Sequence, residues 1–262
     1  RTVLHGAAET LTPCALELTG KNPVIVMADA DIARAARSIV CAKGLAAGQS
    51  SWAPDFVLVA RAAETDLLTA LRAEIVSQFG AHPMDSYDFP RVASPEHFER
   101  LTGMIAGENV FCGGGWNRDT LKIEPTVVSR PKPDSPLMRE PVFGPVLPVL
   151  SYGSIQEAVQ LMRQLPAPRA LYCFSDDEGA ARRLMRDMRF GSGRINDCGT
   201  RAASPQVPSG GVGESGMGAC CGRAGFECFT RQKGVYIAPK MERPPCCAPR
   251  QGTLNEMHRT FG

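Results

Sequence analysis

The run Pro23-Val24-Ile25-Val26-Met27-Ala28-Asp29-Ala30-Asp31 decides the fold. Its first five residues are continuously apolar, the pattern of a strand covered on both faces. Ala28 to Asp31 then opens a helix, with Asp29 as a suitable N-cap. Ile32, Ala35, Ala36, Ile39, Val40 and Lys43 recur near every 3.6 residues and give that helix one buried face. Phe56-Val57-Leu58-Val59 is a second apolar strand, and residues 64–79 a second helix with Leu67, Leu68, Leu71 and Ile75 inward. Strand and helix in alternation imply parallel α/β topology.

Working outward, residues 2–11 carry Ala and Leu at helical spacing until Thr12-Pro13 breaks the pattern, and residues 14–18 read as a short strand. Downstream, Pro95 starts a helix over 96–106. Val110-Phe111-Cys112 and residues 122–128 are the arms of a surface hairpin around Gly113-Gly114-Gly115. Those glycines lack the Lys-Ser/Thr and the following helix of a phosphate cradle. Residues 131–136 form a rigid linker. Strands follow at 146–150, 170–174 and 192–196, with helices at 155–165 and 178–188, the latter capped by Asp176 or Asp177. Arg182, Arg186 and Arg189 share one helix face, which reads as solvated. Residues 204–222 are a loop by composition, and residues 241–262, with Pro244, Pro245 and Pro249, a tail without its own core.

Between the first helix and the second strand lies Ala46-Ala47-Gly48-Gln49-Ser50-Ser51-Trp52-Ala53-Pro54-Asp55. It resembles the nucleophile loop of the aldehyde dehydrogenase family, which reads Gly-Gln-(small)-Cys-x-Ala-Pro-Asp; Ser51 stands at the cysteine position. Leu16-Glu17-Leu18-Thr19-Gly20-Lys21-Asn22-Pro23 is similar to the segment carrying the family's general base, which places Glu17 in that role 34 positions before Ser51. Pro125-Thr126-Val127, Phe143-Gly144-Pro145 and the run from Pro208 to Gly218 (Pro-Ser-Gly-Gly-Val-Gly-Glu-Ser-Gly-Met-Gly) match further motifs in order. The style is closest to the short, class-3-like branch. The resemblance implies an α/β fold: a Rossmann-like parallel sheet of the catalytic domain over 1–222, a C-terminal oligomerisation-type β arm over 223–240, and the irregular tail over 241–262. It also implies that the strand from Phe226 to Ala238 crosses to a neighbouring subunit and pairs through its main chain; an ordinary edge strand within this chain is the other reading. Phe143 takes the family's cofactor-binding position.

The departures carry equal weight. Besides Ser51, Ala46 replaces a usual Asn, and Ser209 a usual Phe. Pro141 stands where the family has the Glu that clasps the nicotinamide ribose, with Glu140 one residue early. The chain starts past the family's Gly-rich cofactor loop and oxyanion Asn. A serine hydroxyl is a far weaker nucleophile than a thiol, whose reference pKa is about 8.5, and loss of an oxyanion donor alone typically costs about 10²–10³ in rate. The expectation is therefore a catalytically inactive aldehyde-dehydrogenase-like protein acting as a structural or interaction subunit. Glu17, Ser51 and Phe143 would then be vestigial, with no cofactor and no metal. Its protein partners would meet the 226–238 arm and the face left by an absent cofactor domain. The alternatives are an NAD(P)-dependent aldehyde dehydrogenase, binding NAD or NADP, completed by a cofactor domain on another chain, and a ligand sensor using the old aldehyde tunnel. Against the sensor, Trp52 beside Ser51 partly fills that tunnel, although its plain reading is a core aromatic.

A serine hydrolase needs a base beside Ser51, and none of His5, His82, His97 and His258 sits in a recommending motif; His97 reads as a surface histidine at a helix start. Cys41 reads as a buried helix cysteine rather than a displaced nucleophile. The ten cysteines do not form a disulfide framework. Several sit in apolar elements (Cys14, Cys41, Cys173), and the vicinal pairs Cys220-Cys221 and Cys246-Cys247 suit neither a standard disulfide nor a zinc site. Reduced cysteines imply an intracellular, reducing compartment: cytosol, mitochondrion or another organelle. A net charge of +2 points to no nucleic acid. No apolar run approaches the roughly 20 residues of a membrane span.

Overall fold

The computed structural model describes residues 1–132, 134–199 and 206–238. The chain divides into two units, Arg1–Phe229 and Thr230–Gly262. In the first unit, seven strands form one sheet: β1 (Pro23–Val26), β2 (Phe56–Ala60), β3 (Val110–Cys112), β4 (Thr126–Ser129), β5 (Val146–Tyr152), β6 (Ala170–Phe174) and β7 (Ser192–Ile195). Their spatial order is β7-β6-β1-β2-β5-β4-β3, parallel throughout except for the antiparallel β3–β4 pair at one edge. The α/β class expected from the apolar runs is thus the observed one.

Alternation along the buried strands divides the core in two. Val24, Val26, Val57 and Val59 point to one face of the sheet and pack with the helices Ile32–Gly44 and Glu64–Phe79 through Ala36, Ile39, Leu67 and Leu71. Ile25, Phe56 and Leu58 point to the other face and pack with Ile155–Arg163 and Glu178–Arg186. A period of two in the strands, met by 3.6 in the helices, explains why every residue of β1 and β2 is buried. A third cluster, around Phe98, Leu101 and Val146, lies beneath the helix Pro95–Ile105.

Local differences from the sequence reading have physical causes. Asp31, not Asp29, caps the helix Ile32–Gly44, accepting from the Arg34 N–H at 3.0 Å. The Asp29 carboxylate is taken instead by the Ser175 hydroxyl and the Asp177 N–H, both at 2.8 Å. Cys41 is exposed, because it falls off the apolar stripe of its helix. The early strand shortens to Leu16–Glu17, which pairs antiparallel with Gly216–Met217 inside the expected loop. The hairpin return splits: Lys122–Ile123 pairs with Trp116–Asn117, while β4 pairs with β3. The linker ends in a short helix, Pro136–Arg139.

The C-terminal β arm does not form within this chain. Phe226 to Cys228 end a helix, Gly222–Cys228, and residues 229–238 are in no strand among those described. A strand exists only where a neighbour takes its N–H and C=O groups, and no described strand of this chain does so. The tail 241–262, with Cys246 and Cys247, lies outside the described residues. No helix among the described residues is long and apolar enough to cross a membrane.

Candidate active site

The loop before β2 is held in a demanding backbone conformation. After the helix Ile32–Gly44, Ala46 (φ 53°), Ala47 (φ 51°) and Gly48 (φ 73°) are successively left-handed. For an L-residue with a Cβ that conformation costs roughly 1–2 kcal/mol, and it persists where surrounding contacts over-determine it. Those contacts are made mostly to main chain. Asn22 Nδ2 donates to the carbonyls of Ser51 (2.9 Å) and Ala53 (3.1 Å). Lys43 Nζ donates to Pro54 O at 2.8 Å, and the Tyr172 hydroxyl to Trp52 O at 2.6 Å. Gln49 donates to Arg91 O and accepts from the Ala93 N–H. Asp55, buried, accepts from the main-chain N–H groups of Asn22 (2.9 Å) and Val142 (2.7 Å). One carboxylate therefore ties the segment before β1 to the Phe-Gly-Pro segment.

Two ammonium groups lie under this loop. Burial pushes Lys43 down to about 7, with the Asp55 charge opposing and the Lys21 charge reinforcing the fall. Burial likewise takes Lys21 to about 8, opposed first by Asp55. Its Nζ donates to Glu140 O at 2.8 Å. Burial also pushes the Tyr172 phenol well above its ordinary range.

Ser51 is half-buried, and among the described residues no hydrogen bond joins its hydroxyl to a histidine or a carboxylate. Glu17 is not bare. Its carboxylate pairs with Arg169 Nη2 at 3.1 Å and accepts from the Cys220 thiol at 2.7 Å. The Arg169 hydrogen bond, then that of Cys220, holds the carboxyl below its usual range. The Arg169 guanidinium lies 4.7 Å from the centre of the Trp52 ring. The structure thus links Glu17 to the Ser51 loop through Arg169 and Trp52. Trp52 is half-buried, packed against the core cluster and also against the Arg169 cation.

Phe143 is left-handed (φ 49°), and its carbonyl is bonded to His97 Nε2 at 2.5 Å. His97 is therefore a half-buried, engaged residue and not the surface histidine expected. Arg100 donates to the carbonyls of Pro141 and Val142 and pairs with Glu140 at 3.4 Å. These residues and Gln49 line an open cleft of about 500 Å³. As a place to hold a nicotinamide ribose, this arrangement fits poorly. Pro141 offers no side-chain acceptor, and the Glu140 carboxylate is engaged by Arg100. Among the described residues no group of three or more His, Cys, Asp or Glu could hold a metal ion.

Sequence reasoning did not find Asn22, Lys43, Arg169 or Cys220 as site residues. Arg169 had one faint signal, a lone cation between Pro168 and the apolar strand β6.

A mostly parallel sheet, with a strained loop leading into a central strand and ionisable groups packed around it, is the frame of an α/β domain. The sequence pattern described as "Aldehyde dehydrogenase family" matches residues 1–235, and the chain belongs to that family. It is 38% identical over 262 residues to the 4,4'-diaponeurosporen-aldehyde dehydrogenase of Staphylococcus aureus, covering 99% of this chain and 57% of that protein. It is 35% identical to the dimeric NADP-preferring aldehyde dehydrogenase of Rattus norvegicus, covering 90% of this chain and 52% of that one. The solved structure "Substrate bound state of Staphylococcus Aureus AldH" superposes with a TM-score of 0.92 at 38% identity, covering all of this chain and 58% of the other. The chain therefore spans about half the length of the relatives it matches.

Proposed function

We propose that this chain is an aldehyde-dehydrogenase-family catalytic domain that does not itself oxidise aldehydes and that serves as an interaction subunit of a larger assembly. The observation that carries the reading is the hydroxyl at position 51. Attack on an aldehyde by this loop needs a nucleophile that ionises near neutral pH or a base beside it. Ser51 is not a thiol, and no described histidine or carboxylate is bonded to its hydroxyl. Pro141 in place of a ribose-clasping carboxylate supports the same reading. The protein partner would dock on the arm from Phe226 to Ala238, where Val235, Tyr236 and Ile237 are exposed and free to pair as a strand with a second chain. The face that a cofactor domain would cover is a second docking surface.

The test is incubation of the chain with NAD or NADP and benzaldehyde or hexanal. Reduced cofactor should form no faster than with a Ser51→Ala control. Clear turnover above that control defeats the proposal.

A second reading is favoured by the names of the relatives: NAD(P)-dependent oxidation of an aldehyde to a carboxylate, with the cofactor bound by a further domain and Glu17 as the base. Titration of NAD or NADP into an assembly containing that domain separates the two, since saturable binding with turnover supports oxidation. Reduced cysteines fit an intracellular location for either.

A further inference from the structure

Glu17 sits between a buried guanidinium and a thiol. The Arg169 side chain is 4% exposed, and arginine cannot discharge itself by losing a proton. Among the described residues its Nε has no hydrogen-bond partner, so the guanidinium depends on what its remaining groups touch. These are the Glu17 carboxylate at 3.1 Å and the face of Trp52 at 4.7 Å. A buried cation without a counter-charge is strongly destabilising, so Arg169 requires Glu17 as an anion.

A second clamp comes from a different part of the chain. Cys220 follows the strand Gly216–Met217, which pairs with Leu16–Glu17, and its main chain bridges to Ser209. That register brings the Cys220 sulfur to 2.7 Å from Glu17 Oε1. Three elements separated by 203 residues at their widest therefore meet on one carboxylate: the first short strand, the entrance of β6 and the C-terminal glycine-rich segment.

We propose that Arg169 is a positioning residue which, together with the Cys220 thiol, holds Glu17 as a fixed counter-ion and withholds it from proton transfer. The carboxylate is oriented toward the cation beneath Trp52, and its other contact is a proton donor. A base so placed must break an ion pair to accept a proton. The reciprocal effect falls on the thiol: the hydrogen bond to the Glu17 carboxylate, more than burial, pushes Cys220 up to about 11. The pair Cys220 and Glu17 is thus a resting thiol on a resting carboxylate, not a nucleophile with its base. This inference depends on the geometry around Glu17 and not on the identity of residue 51, so it stands or falls separately from the proposed lack of turnover.

The experiment measures the alkylation rate of Cys220 by iodoacetamide, read by peptide mass spectrometry between pH 7 and 10, alongside the titration of the Glu17 carboxyl by carbon NMR. In the native chain Glu17 should titrate below the ordinary range of about 4.3, and Cys220 should react slowly at pH 8. Glu17→Gln removes the charge beside the thiol and should speed Cys220 alkylation at pH 8 by up to about 10²-fold, as its titration falls from about 11 toward 9. Arg169→Met should raise the Glu17 titration midpoint without that acceleration. Should Arg169→Met fail to fold, the native titration and Glu17→Gln still decide the matter. An unchanged alkylation rate in Glu17→Gln, or an ordinary titration of Glu17 in the native chain, overturns the proposal.

Discussion

Lys43→Met tests whether the loop before β2 rests on a buried amine. Lys43 is 6% exposed and donates to Pro54 O. Burial lowers its pKa from 10.5 to about 7, with Asp55 opposing and Lys21 reinforcing the shift. A fall of roughly three and a half pH units corresponds to about 4–5 kcal/mol at 1.36 kcal/mol per unit. The sign follows from proton counts. Between pH 7 and 10 the unfolded chain holds the proton and the folded chain does not, so the unfolded state binds more protons and stability rises with pH. The slope from this group is about 1.4 kcal/mol per pH unit across that window and vanishes below it, where both states are charged. Urea unfolding of the native chain and of Lys43→Met at half-unit steps from pH 6 to 10 reads the effect, because contributions from the cysteines largely cancel in the difference. The native chain should gain on the variant up to pH 10, and the variant should be the more stable of the two near pH 6. Parallel pH profiles for the two proteins would refute the assignment of a buried, readily discharged amine.

The strained loop yields two further expectations. A Cβ on Gly48 would lie 2.2 Å from Gly144 O at a φ of 73°, so Gly48→Ala should destabilise by more than the roughly 1–2 kcal/mol of a left-handed residue and lower Tm by at least several degrees in a thermal melt. Ala46 is left-handed already, and asparagine tolerates that region better, so Ala46→Asn should raise Tm by a degree or two. At the outer end of the sheet, Arg130 forks onto the buried Glu64 at 2.9 Å and holds its carboxyl below the usual range. That contribution is present above about pH 4.3, the unfolded value, and is lost as pH falls through the lower folded value. Arg130→Met should therefore cost most at pH 7 and little at pH 2–3, as measured by denaturant midpoints.

Legibility in the sequence followed the range of the physics involved. β1 and β2 were readable because strands covered on both faces need unbroken apolar runs, and the Ile32–Gly44 helix because its stripe keeps the 3.6 period. Cys41 lies off that stripe, so the same period already argued for its exposure. The choice between Asp29 and Asp31 as cap was not local: Ser175 and Asp177, nearly 150 residues away, claim Asp29. The C-terminal arm has strand-forming residues, but a strand requires a paired neighbour, and no described strand of this chain pairs with residues 229–238. At the candidate site, Glu17, Ser51 and Phe143 were picked out by resemblance to family motifs. Their partners were not, because Arg169 and Cys220 reach Glu17 only through sheet order and register.

The contacts around Ser51 hold the loop without help from the side chain at its tip. Asn22, Lys43 and Tyr172 grip the carbonyls of residues 51 to 54, and Asp55 grips main-chain N–H groups on either side. None of these bonds uses the side chain of residue 51. Folding therefore constrains the course of the backbone through the loop and leaves the choice between oxygen and sulfur at its tip almost without consequence for stability. Chemistry alone distinguishes the two. Serine at that position costs the sheet, the loop and the strained turn that leads into it nothing.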